Sequence, residues 1–199
     1  MDTVLQDSPQ AIRQAILALR GGNVIAAPTE TVYGLMALWQ SDSARQEIYR
    51  LKHRPADKRL QMLAPDVETA IRAGLKPNAM LQKIADAFWP GPLTVIVEAF
   101  DGDTIGLRIP NHPLILKLLR ELGEPLAATS ANLSGTPAAV TPMDAVANLD
   151  GHPALLIDGG KVTVTGGASS TVVSIVGDDI KILRQGPITL QDIQTVLDG

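Results

Sequence analysis

Apolar residues recur along this chain at two spacings, and the alternation between them predicts its elements. In SPQAIRQAILALRGG, Ile12, Ile16 and Leu19 fall on one face of a helix. Ser8 stands at the N-cap, Pro9 at the first helical position, and Gly21 and Gly22 stop the run. NVIAAP then predicts a short buried strand, and TETVYGLMAL a polar turn leading into a second strand. Residues 43–52 predict a helix that must stop before Pro55, because a residue preceding proline avoids the helical region.

LQMLAP predicts the next strand, and residues 66–73 and 78–88 predict helices, the second closed by WPGP. LTVIVEA and TIGLRIP read as neighbouring strands joined by the turn FDGD. A helix over HPLILKLLREL and a strand over PLAAT follow. TPMDAVANL predicts a helix, with Thr141 as its cap and proline in its first turn. ALLID, STVVSIV and IKILR predict three strands before a last helix over 190–197. Helices and strands interleave, and several strands are continuous apolar runs, so the pattern predicts an α/β fold with its sheet covered on two faces. Two pairs of adjacent strands make that sheet mixed. With no repeat, low-complexity tract or linker, residues 1–199 are expected to form a single domain.

Composition narrows the functional classes. Hydrophobic residues make up 45% and charged residues 19%, the balance of a folded globular chain and not a disordered one. Aromatics are only 3%, so aliphatic side chains must fill the core, and the stacking platforms of a single-strand nucleic-acid binder are lacking. The net charge of −4 gives no general attraction to nucleic acid, so any anion must be recognised locally. The absence of cysteine excludes disulfides, thiolate catalysis and cysteine-held zinc. The N-terminal MDTVLQDSPQ has neither a basic start nor an apolar run, and no apolar stretch reaches membrane-spanning length. A cytoplasmic protein with no membrane association is expected.

The common nucleotide loops and the serine nucleophile elbow are missing from the sequence. His53, His112 and His152 are too scattered to suggest a metal site. Four polar clusters remain. PTETVYGL sets Thr29, Glu30, Thr31 and Tyr33 between two strands, either as a plain turn or as hydroxyls lining a pocket at a strand end. YRLKHRPADKR, residues 49–59, holds Arg50, Lys52, Arg54, Lys58 and Arg59, five of the chain's 17 Lys and Arg. The helix dipole accounts for cations in the last helical turn but not for those beyond it. Crowding these charges costs repulsion unless an anion relieves it; a triphosphate or an RNA backbone would do so.

ATSANLSG presents Thr129, Ser130, Asn132 and Ser134 at the end of a strand. Arg108, between Leu107 and Ile109, either points outward to solvent or is paired inside. Arg184 ends a strand before a Gly-Pro turn, and GGASSTVV adds Ser169, Ser170 and Thr171 after the Gly166-Gly167 pair. No nucleophile or general base emerges. The clusters suit catalysis by positioning and charge stabilisation, without a covalent intermediate.

Taken in order, PTETVYGL, KHRPADK, WPGPLTVIV, GLRIPNHP, TSANLSG and ILRQGP resemble the YrdC/TsaC family, the threonylcarbamoyl-AMP synthases, over most of residues 8–197. The resemblance implies a twisted mixed sheet flanked by helices around a positively charged concave cavity. It implies an enzyme, a nucleotidyltransferase that converts L-threonine, bicarbonate or CO2, and ATP with Mg2+ into threonylcarbamoyl-AMP and pyrophosphate. The product would serve the threonylcarbamoyl modification of adenosine in tRNA. By the same resemblance Lys52 and Arg54 are catalytic, and Lys52, Arg54, Lys58, Ser130, Asn132 and Arg184 hold ATP. Thr29, Arg108, Thr129 and Ser170 would bind L-threonine, with Arg108 on its carboxylate; no metal ligand is implied.

Arg59 stands where many relatives have proline, and GASST has serine where many have glutamate before Ser-Thr. The chain is expected to be of the short bacterial type, passing its product to separate tRNA threonylcarbamoyl-transferase proteins, with weak tRNA binding as a further option. Two other readings stay open: a carbamoyl-adenylate former like a domain of HypF, and an RNA-binding or ribosome-maturation protein.

Overall fold

The N-terminal helix forms as its sequence predicts: Ser8 Oγ accepts the Ala11 N–H at 3.2 Å, and Pro9 opens α1 (Pro9–Arg20). A computed structural model gives the conformation of residues 3–147, 149–163, 169–177 and 179–198. Before α1 lies β1 (Thr3–Gln6); after it come β2 (Ile25–Pro28), β3 (Tyr33–Leu38), α2 (Asp42–Lys52) and β4 (Gln61–Leu63). Next are α3 (Val67–Arg72), α4 (Ala79–Phe88), β5 (Leu93–Glu98), β6 (Thr104–Arg108) and α5 (Pro113–Leu122). The chain continues through β7 (Leu126–Ser130), α6 (Asp144–Ala147), β8 (Leu155–Asp158), β9 (Thr171–Ser174), β10 (Lys181–Arg184) and α7 (Leu190–Asp198).

The strands form one mixed sheet in the order β1-β8-β2-β3-β7-β4-β6-β5-β9-β10. β2–β3 and β5–β6 are antiparallel neighbours, as their short connections require, while β2–β8, β4–β6 and β5–β9 pair in parallel. β1 was not foreseen: TVLQ has no sustained apolar pattern, and its order comes from parallel pairing with β8 (Thr3 opposite Leu155). The helix expected over residues 141–149 is only four residues long. Thr141 Oγ1 does cap it, accepting the Asp144 N–H at 3.1 Å, but the chain then turns so that the Asp150 N–H reaches Leu51 O at 2.9 Å. Residue 148 and the Gly166-Gly167 pair lie outside the described residues.

Side chains of a strand alternate between faces, and the two faces of this sheet are covered unequally. On one face Met36, Leu63 and Leu126 pack against Ile12 and Leu19 of α1 and Ile115 and Leu118 of α5. On the other, Leu35 and Ala127 meet Ile48 and Leu51 of α2, and Val95, Leu107 and Val173 meet Leu81 and Ile84 of α4 and Ile193 of α7. The register carries the first face onward past α1 and α5. Gln61 lies opposite Ala128, Arg108 opposite Leu63, Ile96 opposite Gly106, and both Thr94 and Arg184 opposite Val172. Apart from Leu63, which packs in the core with α1 and α5, these residues line an open cavity. The cavity is the part of this sheet face that the helices leave bare.

Candidate active site

The cavity encloses about 300 Å3, and its wall carries the guanidinium groups of Arg54, Arg59, Arg108 and Arg184. Hydroxyls of Thr31, Thr94, Thr129, Ser130 and Ser170 stand among them, and Ile96, Ala128 and Val172 give it an apolar floor. Six residues expected at the site therefore meet here from distant parts of the chain: Arg54, Arg108, Thr129, Ser130, Ser170 and Arg184.

Arg54 follows the sharp end of α2. His53 takes a left-handed conformation (φ 48°), which turns the chain back so that the Arg54 N–H bonds Tyr49 O at 2.9 Å. Arg54 Nε then donates to Lys58 O at 2.8 Å and Nη2 to Arg59 O at 2.7 Å. The loop is wrapped around the guanidinium, and burial lowers the pKa of that group. Lys58 contributes its carbonyl to this wrapping, while its side chain lies on an exposed residue outside the cavity wall.

Much of the crowded charge is relieved within the protein. Arg50 pairs with Glu47 at 2.7 Å, His53 Nε2 lies 2.9 Å from Asp150 Oδ2, and Arg59 pairs with Asp103. The expectation that an outside anion is needed by the whole patch therefore narrows to Arg54 and Lys58, which make no ion pair among the described residues.

Lys52 behaves differently from the expectation that it faces a phosphate. The residue is 1% exposed, is not part of the cavity wall, and donates through Nζ to the main-chain carbonyls of Ser130 and Asn132. Burial, with the Arg54 charge adding to it, pushes its pKa down to about 8. The physical reason for its position is the α2 face on which it falls, which points toward the end of β7. Its own carbonyl accepts the Ser134 N–H at 3.0 Å, so α2 and the ATSANLSG loop are bonded in both directions. Asn132 also lies behind the wall, with Nδ2 donating to Leu133 O at 2.7 Å and Thr136 O at 2.9 Å.

The threonine-rich turn after β2 is ordered from within. Thr29 Oγ1 donates to Val32 O at 2.7 Å and accepts the Thr31 and Val32 N–H groups, so Thr29 builds the turn and Thr31 and Val32 reach the cavity. Arg108 takes the second of its two alternatives and is paired inside, with Nη2 2.6 Å from Glu30 Oε1.

On the far wall, Arg184 donates from Nε to Ser170 O at 3.0 Å and from Nη2 to Ser170 Oγ at 3.1 Å. Burial, and then repulsion from Arg108, lower the Arg184 pKa. Ser170 Oγ contacts Thr94 Oγ1 at 3.0 Å, which donates to Gln61 Oε1 at 2.9 Å. The Gly-Pro turn after Arg184 lies tight against β9: a Cβ on Gly186 would sit 2.4 Å from Thr171 N. Thr171 Oγ1 accepts the Gly186 N–H at 3.1 Å, fixing the turn that carries Arg184.

Gln61 and Thr94 were not assigned from the sequence, and Glu30 and Thr31 entered only as members of the PTETVYGL cluster, without individual roles. Thr94 and Gln61 could have been found by period two, because each alternates with a buried core residue, Val95 and Met62, and so must point to the other face. Among the described residues no group of three or more His, Asp or Glu is placed to hold a metal ion, and no helix is long and apolar enough to cross a membrane.

Comparison with known proteins gives this cavity a context. The Sua5_yciO_yrdC family, described as "Telomere recombination", matches residues 17–186. The threonylcarbamoyl-AMP synthase of Bacillus subtilis is 37% identical over 206 residues, covering 98% of this chain and 59% of the relative. A putative threonylcarbamoyl-AMP synthase of Mycobacterium tuberculosis is 34% identical, covering 94% of this chain and 89% of the relative. The crystal structure of Pyrococcus abyssi Sua5 complexed with L-threonine superposes with a TM-score of 0.89 at 31% identity, over 99% of this chain and 61% of that one. The chain thus spans less than two thirds of the length of the Bacillus and Pyrococcus relatives.

Proposed function

We infer the function from one premise: the chain belongs to the Sua5/YciO/YrdC family. It is an L-threonylcarbamoyladenylate synthase, joining L-threonine, bicarbonate or CO2, and ATP into threonylcarbamoyl-AMP with release of pyrophosphate. The observation that carries this reading is the meeting of Arg54, Arg108, Thr129, Ser130, Ser170 and Arg184 in one cavity, in a chain 37% identical to a named threonylcarbamoyl-AMP synthase.

In this reading ATP lies toward Arg54, Ser130 and Arg184, whose donors suit phosphoryl oxygens and ribose. Lys52 and Asn132 act on the nucleotide through the loop they shape, and Lys58 through the carbonyl that holds Arg54. L-threonine lies toward Arg108, Thr129 and Ser170, with Thr29 supporting the turn beside it. The neutral amine of threonine attacks CO2; a C–N bond forms and a proton leaves to give a carbamate. A carbamate oxygen then attacks the α-phosphorus, and the bond from that phosphorus to the bridging oxygen breaks, releasing pyrophosphate. The protein aligns the reactants and neutralises charge on the leaving group. Among the described residues no cluster of His, Asp or Glu forms a site for a protein-held Mg2+, so the metal enters as part of the MgATP substrate.

The product passes to separate tRNA threonylcarbamoyl-transferase proteins in the cytoplasm, and residues 1–199 act as one domain. Pyrophosphate release is the test, measured with ATP, threonine and bicarbonate and then with each omitted in turn. Release that persists without threonine would overturn the proposal.

A further inference from the structure

Arg108 lines the cavity, yet its charge is already matched from behind. Besides the 2.6 Å contact with Glu30 Oε1, its Nη2 donates to Thr31 Oγ1 at 3.2 Å. Glu30 Oε1 also accepts the Asn111 N–H at 2.9 Å, so the carboxylate is itself held in place. Glu30 is not part of the cavity wall. The side chains of Arg108 and Glu30 are 4% and 19% exposed, so solvent and salt screen the pair weakly.

Two consequences follow for a ligand. A guanidinium gripped at one nitrogen by two acceptors has a fixed plane, and its remaining N–H groups point in set directions. An electroneutral pair also lacks the net positive charge that attracts a polyphosphate. Arg54 and Arg184 make no ion pair with a carboxylate among the described residues, so the cavity has a charged side and a neutralised one.

We infer that Glu30 is a positioning and specificity-determining residue: it holds the Arg108 guanidinium and cancels its charge, reserving that side of the cavity for an amino-acid carboxylate and turning phosphate away. This rests on the threonine-binding role proposed above for Arg108. Without Glu30, Arg108 is a mostly buried cation with no counter-charge, and a phosphate group is the strongest anion at hand to supply one.

Glu30→Gln and Glu30→Ala separate the two effects. Glutamine keeps an acceptor for Nη2 and removes only the charge; alanine removes both. Synthesis of threonylcarbamoyl-AMP is followed chromatographically with the full chain, varying threonine at saturating ATP and adding inorganic phosphate as the inhibitor. Glu30→Ala should raise the threonine KM about tenfold or more, whereas Glu30→Gln, which keeps the guanidinium in place, should not raise it, with the ATP KM within about twofold of wild type. In both variants inorganic phosphate should become competitive with threonine. Crystal structures should find the Arg108 guanidinium in place in Glu30→Gln and displaced in Glu30→Ala. An unchanged phosphate pattern in folded Glu30→Gln would overturn the proposal. So would an unmoved Arg108 in Glu30→Ala, whatever the substrate. A wild-type enzyme indifferent to threonine would instead overturn the proposed function, and the two structures would still decide whether Glu30 positions Arg108.

Discussion

The ammonium of Lys52 donates to the main-chain carbonyl of Asn132, joining the basic stretch after α2 to the hydroxyl-rich loop after β7. A second bond to Ser130 O and the return bond from Ser134 N–H to Lys52 O complete the connection. Two clusters that look like independent ligand contacts in the sequence are thus one structural unit.

Lys52→Met tests that unit. Methionine keeps most of the buried stem and removes the donors. Ser130 O keeps the Asn132 N–H at 3.1 Å, whereas Asn132 O loses the ammonium. A buried polar group left without its partner costs about 1–3 kcal/mol, so the urea midpoint should fall while the ATP KM rises. A variant that loses ATP affinity at unchanged stability would mean that Lys52 turns to the phosphates directly.

The same group predicts a dependence of stability on pH. The folded-state pKa of Lys52 is pushed down to about 8, below the ordinary lysine value of about 10.4. Between those values the unfolded chain binds more protons at this site than the folded chain, so its contribution to stability rises with pH. Below about pH 8 lysine is charged in both states, and the cost of burying the charge is fully present. Wild type should therefore gain stability relative to Lys52→Met as pH is raised from 8 toward 10. Parallel melting curves of the two proteins across that window measure the difference, and a flat difference would show that the ammonium is not desolvated.

Parts of this site were legible in the sequence because local signals wrote them there. Ser8 and Pro9 mark the start of α1, and Pro55 limits α2, which ends at Lys52. The hydroxyls after β7 and the arginine before the Gly-Pro turn sit at strand ends, where a sheet presents ligand contacts. What stayed hidden is non-local or carried by the main chain. The partners of Lys52 are carbonyls, which every residue has, so no residue type signals them. Glu30 and Arg108 are brought together only by the sheet order, which places β3, β7, β4 and β6 side by side. Thr94 is masked by the apolar run LTVIVEA until its strand is assigned two faces, one against α4 and one against Gln61 and Ser170.

Arg108→Ala should act on threonine more than on ATP. Losing a charge-assisted hydrogen bond removes roughly 1.5–3 kcal/mol, about a tenfold to hundredfold rise in the threonine requirement. The structure adds a loss of stability, because Glu30 then loses its 2.6 Å partner. Arg108→Lys should recover only part of the affinity, since an ammonium cannot serve Glu30 and Thr31 and still present a planar fork to a carboxylate. Titrations of both substrates check the division: an equal fall in ATP affinity would put Arg108 on the nucleotide.

Discrimination between threonine and serine should follow from the apolar part of the same wall. Hydrogen-bonding groups cannot separate the two amino acids, because both carry the same carboxylate, amine and hydroxyl. Only the extra methyl differs, and it must be read by packing. Val32, Ile96, Ala128 and Val172 stand among the hydroxyls of the cavity and offer it an apolar contact. A methyl group in a fitted pocket contributes about 1–3 kcal/mol, so threonine should be preferred by about tenfold to two-hundredfold in kcat/KM. Val32→Ala should lower that preference by opening a void where the methyl rests, while the rate with serine changes little. Competition between the two amino acids in pyrophosphate release measures the ratio directly. Equal kcat/KM for threonine and serine in the wild type would refute the assignment of threonine, and a preference untouched in Val32→Ala would move the methyl contact to Ile96 or Val172.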